Sequence, residues 1–313
     1  MPVTAPIPAP PGLPQGLRDA ILAWYDARGR SLPFRGTTDP YAVLVSEVMA
    51  QQTQISRVGP AWTAFMAAFP TIRDLAAASP ADVLRAWRGM GYNRRALNLW
   101  RAARVVVEEH GGQLPSEVAA LERLPGIGPY TARAVVAIAF GAPVGAVDTN
   151  VRRVLGRAIG GAIDALPAKE LQRVADAAVP SGRPAEWTHA LMDVGATFCR
   201  TTQPLCAECP ARAWCRFAAA APSMGRAAAV PDAGRAMSPG ARSVSPFPST
   251  SRWLRGRIMD RLREVDGAGW VVIDAPIGAH DLTTIARTLE QLAAEGLVEL
   301  DPASRLSARL PLG

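Results

Sequence analysis

The sequence predicts an all-α protein that ends in a small α+β module. Three observations carry that expectation. Apolar residues recur at three- and four-residue spacing from residue 15 to residue 195, and no alternating strand pattern competes with them there. A stretch rich in Ala, Pro, Ser and Gly at 217–250 then reads as a linker, and residues 251–313 form a shorter segment of mixed helix and strand pattern. The 313 residues suffice for two domains, each able to bury a core.

In chain order, the Pro-rich start MPVTAPIPAPPGLPQG lacks a basic n-region and an apolar h-region, so residues 1–14 are expected to be a disordered leader, not a signal peptide. Helices are expected over 15–29, 40–54, 58–68, 81–88, 94–110, 116–123, 129–140, 149–160, 167–178 and 184–195, broken by turns such as Gly111-Gly112 and Pro180 to Pro184. After the linker come a helix at 252–265, a strand from Trp270 to Ile273 and a helix at 280–295. Two further short strands are expected, Leu297 to Leu300 and Leu306 to Leu310.

A hydrophobic content of 49% and a charged content of 19% exclude a disordered or collagen-like chain. No apolar run approaches the ~18 residues of a spanning helix, so no membrane partner is expected and the chain reads as cytoplasmic. Its 34 cations are 33 arginines and one lysine, Lys169, against 27 acids. Arginine grips phosphate bidentately, which suits a polyanionic partner; a coding bias toward Arg and Ala accounts for the excess equally well. Residues 1–216 hold 23 basic and 17 acidic side chains, whereas 251–313 hold 8 and 9. The polyanion-binding field therefore belongs to the first 216 residues.

All the cysteines fall within seventeen residues, as Cys199, Cys206, Cys209 and Cys215, in a C-x6-C-x2-C-x5-C pattern. In a cytoplasmic chain that density argues for metal over disulfides. Four thiolates can hold a zinc ion or an iron–sulfur cluster, and the single C-x2-C knuckle with its uneven flanks suits a cubane better.

The segment Leu124-Pro-Gly-Ile-Gly-Pro-Tyr-Thr-Ala132 lies between two helical stretches. Gly126 and Gly128 permit a tight turn and a close backbone approach, and the amides that open the next helix can bind an anion. This is the layout of a helix–hairpin–helix, which holds DNA backbone without reading sequence.

Two carboxylates sit in contrasting places. Glu47 lies in the apolar helical stretch YAVLVSEVMAQQTQ, where Val43, Leu44 and Val48 favour its protonated form. Asp148, in GAVDTNVRRVLGR, directly precedes a helix, where free amides and the dipole favour the ionised form. One proton donor beside one anion is the division of labour of glycoside cleavage.

Together LPGIGPYTA, VDTNVRRVLGR and the four-cysteine spacing resemble the helix–hairpin–helix (endonuclease III-like) base-excision repair DNA glycosylases. SEVMAQQTQ and WRGMGYNRRALNL narrow the resemblance to the A/G-specific adenine DNA glycosylases, over about residues 15–216. The resemblance implies a six-helix barrel module at 39–150, and a helical module of 15–38 plus 151–216 whose four cysteines hold a [4Fe-4S] cluster. It implies a monomeric DNA-repair hydrolase, meeting the nucleoid through its DNA. Its partner is mismatched double-stranded DNA, from which it flips adenine lying opposite 8-oxoguanine or guanine and cuts the N-glycosidic bond.

By the same resemblance Glu47 protonates the adenine ring and later handles the attacking water. Asp148 stabilises or captures the oxocarbenium-like sugar, and Tyr130 and Asn150 position this chemistry. Arg30, Leu32, Arg35, Gln52, Thr53 and Asp193 fall where the family lines the base pocket or wedges the duplex, and Tyr92 inserts beside the orphaned base. Phe34, Ala50 and Thr149 depart from the usual Trp, larger apolar residue and Gly. A lyase would need an amine in the hairpin, where Tyr130 stands, so the enzyme is expected to be monofunctional. The alternatives are a mismatch thymine or uracil glycosylase of the same fold and a catalytically silent DNA-scanning relative. In place of the nucleotide-hydrolase-like domain of familiar members, 251–313 resembles a winged helix, an accessory module.

Overall fold

The computed structural model describes residues 13–220, 247–265 and 267–313. Nearly all of the expected leader and most of the expected linker lie outside the described residues. The helices are α1 (Gln15–Arg28), α2 (Pro40–Ala50), α3 (Ile55–Ala68), α4 (Ile72–Ala77), α5 (Pro80–Ala86), α6 (Arg94–Glu109) and α7 (Val118–Leu121). They continue as α8 (Pro129–Ala139), α9 (Thr149–Leu155), α10 (Ala168–Ala178), α11 (Pro184–Thr197), α12 (Arg216–Ala220), α13 (Ser251–Arg263) and α14 (Leu282–Ala294). Strands β1 (Val271–Val272), β2 (Glu299–Asp301) and β3 (Ser304–Arg309) form an antiparallel sheet in the order β1-β3-β2. Val271 lies opposite Ala308, and so does Leu300 on the other side. Among the described residues no helix is long and apolar enough to cross a membrane.

Local chemistry sets most helix boundaries. Thr71 and Asp74 close a capping box on α4, Ser79 caps α5 ahead of Pro80, and Thr250 and Asp281 cap α13 and α14. The helix expected over 40–54 stops at Ala50, because Gln52 takes a left-handed φ of +53° that no helix accommodates. The stretch expected as one helix over 149–160 is α9 followed by a π turn, Gly156–Gly160, ended by Gly161 at φ +85°. Residues 217–220, expected as linker, belong to α12.

The described residues belong to two compact units. One lies within Met1–Val43, Ser116–Glu122 and Gly128–Met237; the other lies within Leu44–Pro115, Arg123–Ile127 and Ser238–Gly313. In the first, α11 packs on α1, α8 and α9, and α10 packs on α9. Leu17 and Ile21, one turn apart on α1, and Trp187 of α11 are fully buried in its core. In the second, α4 and α5 pack on α6 through the stripe Ala96, Leu99, Ala103 and Val106, and α3 meets α5. Phe65 and Trp87 meet edge to face there, with ring centroids 5.8 Å apart. The C-terminal elements belong to this second unit, where α13 lies on α5.

Candidate active site

Asp148 is the N-cap of α9, as its position before VRRVLGR predicts. Its Oδ1 accepts the Val151 backbone N–H at 2.7 Å, and its Oδ2 accepts Asn150 Nδ2 at 2.8 Å. Asn150 is itself oriented from behind, because its Oδ1 accepts Arg153 Nη2 at 2.7 Å. That guanidinium also donates to the carbonyls of Gly195 at 2.7 Å, Thr149 at 3.2 Å and Cys199. Arg153 thus binds α9 to the end of α11 and fixes which way the Asn150 amide faces. The close approach depends on Gly195, where a Cβ would come within 2.5 Å of Asn150 Cβ. Neither Arg153 nor Gly195 was among the expected site residues, although Arg153 stands three residues after Asn150 in the same motif.

Tyr130, in the first turn of α8, donates its hydroxyl to Met192 Sδ at 3.4 Å. In the hairpin before it only Gly126 needs its glycine for conformation, at φ +77°. Gly128 is the N-cap of α8 with an ordinary φ of −94°, and a Cβ there would meet nothing within 4 Å. Its missing side chain therefore leaves open surface in front of the amides that begin α8, and does not serve a tight turn.

Glu47 lies on α2, 8% exposed, with Val43, Leu44 and Val48 of the same helix buried around it. The apolar setting expected for it is present. The turn after α2 carries Gln52 and Thr53, and Arg95 of α6 organises it. Its guanidinium donates to the carbonyls of Val48 at 2.9 Å, Met49 at 3.0 Å and Gln51, and to Thr53 Oγ1 at 3.0 Å. The same group reaches the carbonyls of Met90 at 3.2 Å and Gly91 at 3.3 Å, so it joins the Gln52 turn to the loop that carries Tyr92. Burial pushes the Arg95 guanidinium down to about 10, which leaves it charged at neutral pH. Tyr92 has φ +46° and is 45% exposed. Gln52 and Tyr92, both expected at the duplex, are thus exposed non-glycine residues in the left-handed region, held by one half-buried arginine.

Arg30, Arg35 and Asp193 converge on one another. Asp193 is wholly buried on α11. Its carboxylate accepts Arg30 N at 2.9 Å, Arg30 Nε at 2.6 Å, and Arg35 Nη1 and Nη2 at 2.6 and 2.7 Å. Despite the opposing effect of burial, hydrogen bonds from Arg35 and Arg30 hold its carboxyl below the usual range. Here the carboxylate serves as the tether of the 29–36 loop, on which Leu32 is half-buried and Phe34 buried. Nearby His189 is pushed down to about 4, first by burial and then by the Arg35 charge.

Cys199, Cys206, Cys209 and Cys215 are free thiols, and Cys199, Cys209 and Cys215 pack against the core of the first unit. Arg157 Nη1 donates to Cys199 Sγ at 3.5 Å. Burial raises the thiols of Cys206, Cys215 and Cys209, the last to about 12, and neighbouring cysteines push each further the same way. Among the described residues no three His, Cys, Asp or Glu side chains close on a single ion.

Comparison with known proteins fits this arrangement. Residues 45–180 match the model of the HhH-GPD superfamily base excision DNA repair proteins. The adenine DNA glycosylase of Mycolicibacterium smegmatis is 40% identical over 282 residues, covering 89% of this chain and 91% of the relative. That of Homo sapiens is 43% identical over 211 residues, 64% of this chain and 39% of the relative. The structure of a thermostable thymine-DNA glycosylase superposes with a TM-score of 0.61 at 30% identity, covering 65% of this chain and 95% of that one. The chain belongs to the adenine DNA glycosylases, helix–hairpin–helix base-excision repair hydrolases that act on the N-glycosidic bond.

Proposed function

We propose that the protein acts on double-stranded DNA as a monofunctional glycosylase and removes a flipped adenine paired with 8-oxoguanine or guanine. The observation that carries the assignment is the Asp148 carboxylate, locked through both oxygens by Val151 and Asn150 at the start of α9. Such an anion is preorganised to face positive charge developing on the sugar, so little reorganisation accompanies the reaction. Glu47, in its buried apolar setting, protonates the departing base and afterwards takes a proton from the attacking water. The bond that breaks is the one between the sugar and the base; the bond that forms joins water oxygen to the sugar. Arg153 and Tyr130 act behind these groups, Arg153 by fixing the Asn150 amide. The only lysine, Lys169, sits in the first turn of α10, and none lies in the hairpin to form a Schiff base. The amides that open α8 and the bare surface at Gly128 suit a phosphate of the flipped strand.

The four cysteines fit a [4Fe-4S] cluster better than a lone ion. Their uneven C-x6-C-x2-C-x5-C spacing, with one short knuckle, supports a cubane, which Cys199, Cys206, Cys209 and Cys215 would hold. When bound, such a cluster would tie segment 199–215 to the core, on which Cys199, Cys209 and Cys215 already pack. We read 15–38 with 151–216 as its module, 39–150 as the barrel module and 251–313 as a winged-helix-like accessory.

Single-turnover base release from duplexes holding A:8-oxoG, A:G, T:G and U:G tests the proposal, with strand breaks scored before and after alkali. Adenine release that requires alkali for scission is expected. Glu47→Gln and Asp148→Asn should each slow release by roughly 10²–10⁴-fold while duplex binding persists. Asn caps a helix as well as Asp, so loss in Asp148→Asn isolates the charge. Preferential release of pyrimidine, or undiminished release by both variants, would overturn it.

A further inference from the structure

The C-terminal module holds the Tyr92 loop by two consecutive residues. Arg263, at the end of α13, is buried and donates to Leu84 O at 2.8 Å and to Asn93 Oδ1 at 2.7 Å. Asn93, the N-cap residue of α6, has helical φ and ψ of −55° and −23° and makes no capping hydrogen bond, so its side-chain oxygen is available to Arg263. From the other end of α13, the guanidinium of Arg252 lies 4.8 Å from the Tyr92 ring centroid. Arg252 and Arg263 fall on one face of the helix, eleven residues apart, with the buried Met259 between them. Arg85 of α5 completes the attachment by donating to Val265 O at 3.0 Å.

Arg252 has no local reason to be where it is. It stands in the first turn of α13, where the helix dipole disfavours a cation, and it makes no ion pair among the described residues. The loop it meets needs support: Gly89, Gly91 and Tyr92 all have positive φ, at +83°, +67° and +46°. Arg95 fixes the backbone of that loop from below through Met90 and Gly91, but the exposed ring meets two guanidinium groups, Arg95 at 5.6 Å and Arg252 at 4.8 Å.

We propose that Arg252 is a positioning residue for Tyr92, so that the 251–313 module serves mismatched-duplex binding through the Tyr92–Asn93 loop and not by a duplex grip of its own. The balance of 8 basic and 9 acidic side chains in the module agrees with that division. The inference rests on Tyr92 entering the duplex, as the proposed function has it.

The test is a double-mutant cycle in the full chain, with Arg252→Ala, Tyr92→Ala and both together. It reads the Kd for an A:8-oxoG duplex, the single-turnover release rate, and the slope of log Kd against log salt. Arg252→Ala should weaken binding roughly two- to fivefold with an unchanged salt slope, have no further effect in the Tyr92→Ala background, and be largely rescued by Arg252→Lys. Additive effects, or a salt slope lowered by about one, would mean that Arg252 touches DNA directly and would overturn the proposal alone. A Tyr92→Ala variant that binds and releases base like the parent would instead remove the wedge reading on which the proposal stands.

Discussion

Replacing Asp193 by Asn asks whether the buried carboxylate is a tether or a substrate contact. The substitution keeps the side-chain volume but removes the charge, and it turns one acceptor oxygen into a donor that faces donors. Asp193 is fully buried and Arg35 is only 9% exposed, so the guanidinium left behind loses its carboxylate and cannot be rehydrated in place, while its contacts with the Arg30 carbonyl at 3.1 Å and with the Tyr25 ring are neutral. Removing one member of such a pair costs about 3–5 kcal/mol. The Arg30 contact, on a side chain that is 34% exposed, adds little because water screens it. Against a typical total stability of ~5–15 kcal/mol, the loss should shift the urea midpoint plainly. Far-UV circular dichroism across a urea series measures it, and hydrogen exchange locates it at Arg30–Arg35, whose tether to α11 would be lost. A loss below ~1 kcal/mol together with abolished base release would refute the reasoning, since the carboxylate would then act on substrate.

Neighbouring groups carry further expectations. His189, whose folded pKa of about 4 lies below the ordinary 6.5, stays neutral in the fold, so stability is complete above pH 6.5 and falls as pH drops toward about 4. The fall should reach ~3 kcal/mol and be largely absent in His189→Gln, as read by urea midpoints at pH 7 and pH 4.5. Arg153→Lys loses the fork that serves Asn150, Gly195 and Cys199 at once, and should slow base release by roughly tenfold or more at saturating enzyme while duplex affinity holds. Protein purified without oxygen should carry about four irons, and Cys209→Ser should lower both that content and the thermal midpoint.

Where a side chain enforces a local geometry, the sequence was legible. Asp148 reads as a helix cap from its position before an apolar period, and it is one. The three C-terminal strands fall within a few residues of their expected places because β-branched and apolar residues are bounded there by Gly and Asp. The misses have equally local causes. Helix α4 has six residues, too few for a period to show, and its signal was the Thr71-x-x-Asp74 capping box. The extension of α2 past Ala50 missed Gln52, whose left-handed φ belongs to a tertiary tie, the Arg95 guanidinium forty-three residues away. In the same way Arg30, Arg35 and Asp193 are read from motifs as separate pocket residues, and only long-range packing shows that they bind one another.

That pattern changes the meaning of the arginine excess. Composition offered a polyanion-binding field or a coding bias, and the structure shows a third use. Arg95, Arg153, Arg157 and Arg263 each direct a guanidinium into backbone carbonyls at a turn or helix end, where one planar fork satisfies several acceptors at once. A lysine ammonium cannot span such an array, so a chain with a single lysine can close its loops in a way that a lysine-rich one could not. Cations spent on carbonyls do not face phosphate. The net charge of +7 still sets the long-range field, because a hydrogen bond to a neutral carbonyl leaves a guanidinium charged, whereas the salt dependence of duplex binding should reflect the exposed arginines that reach phosphate.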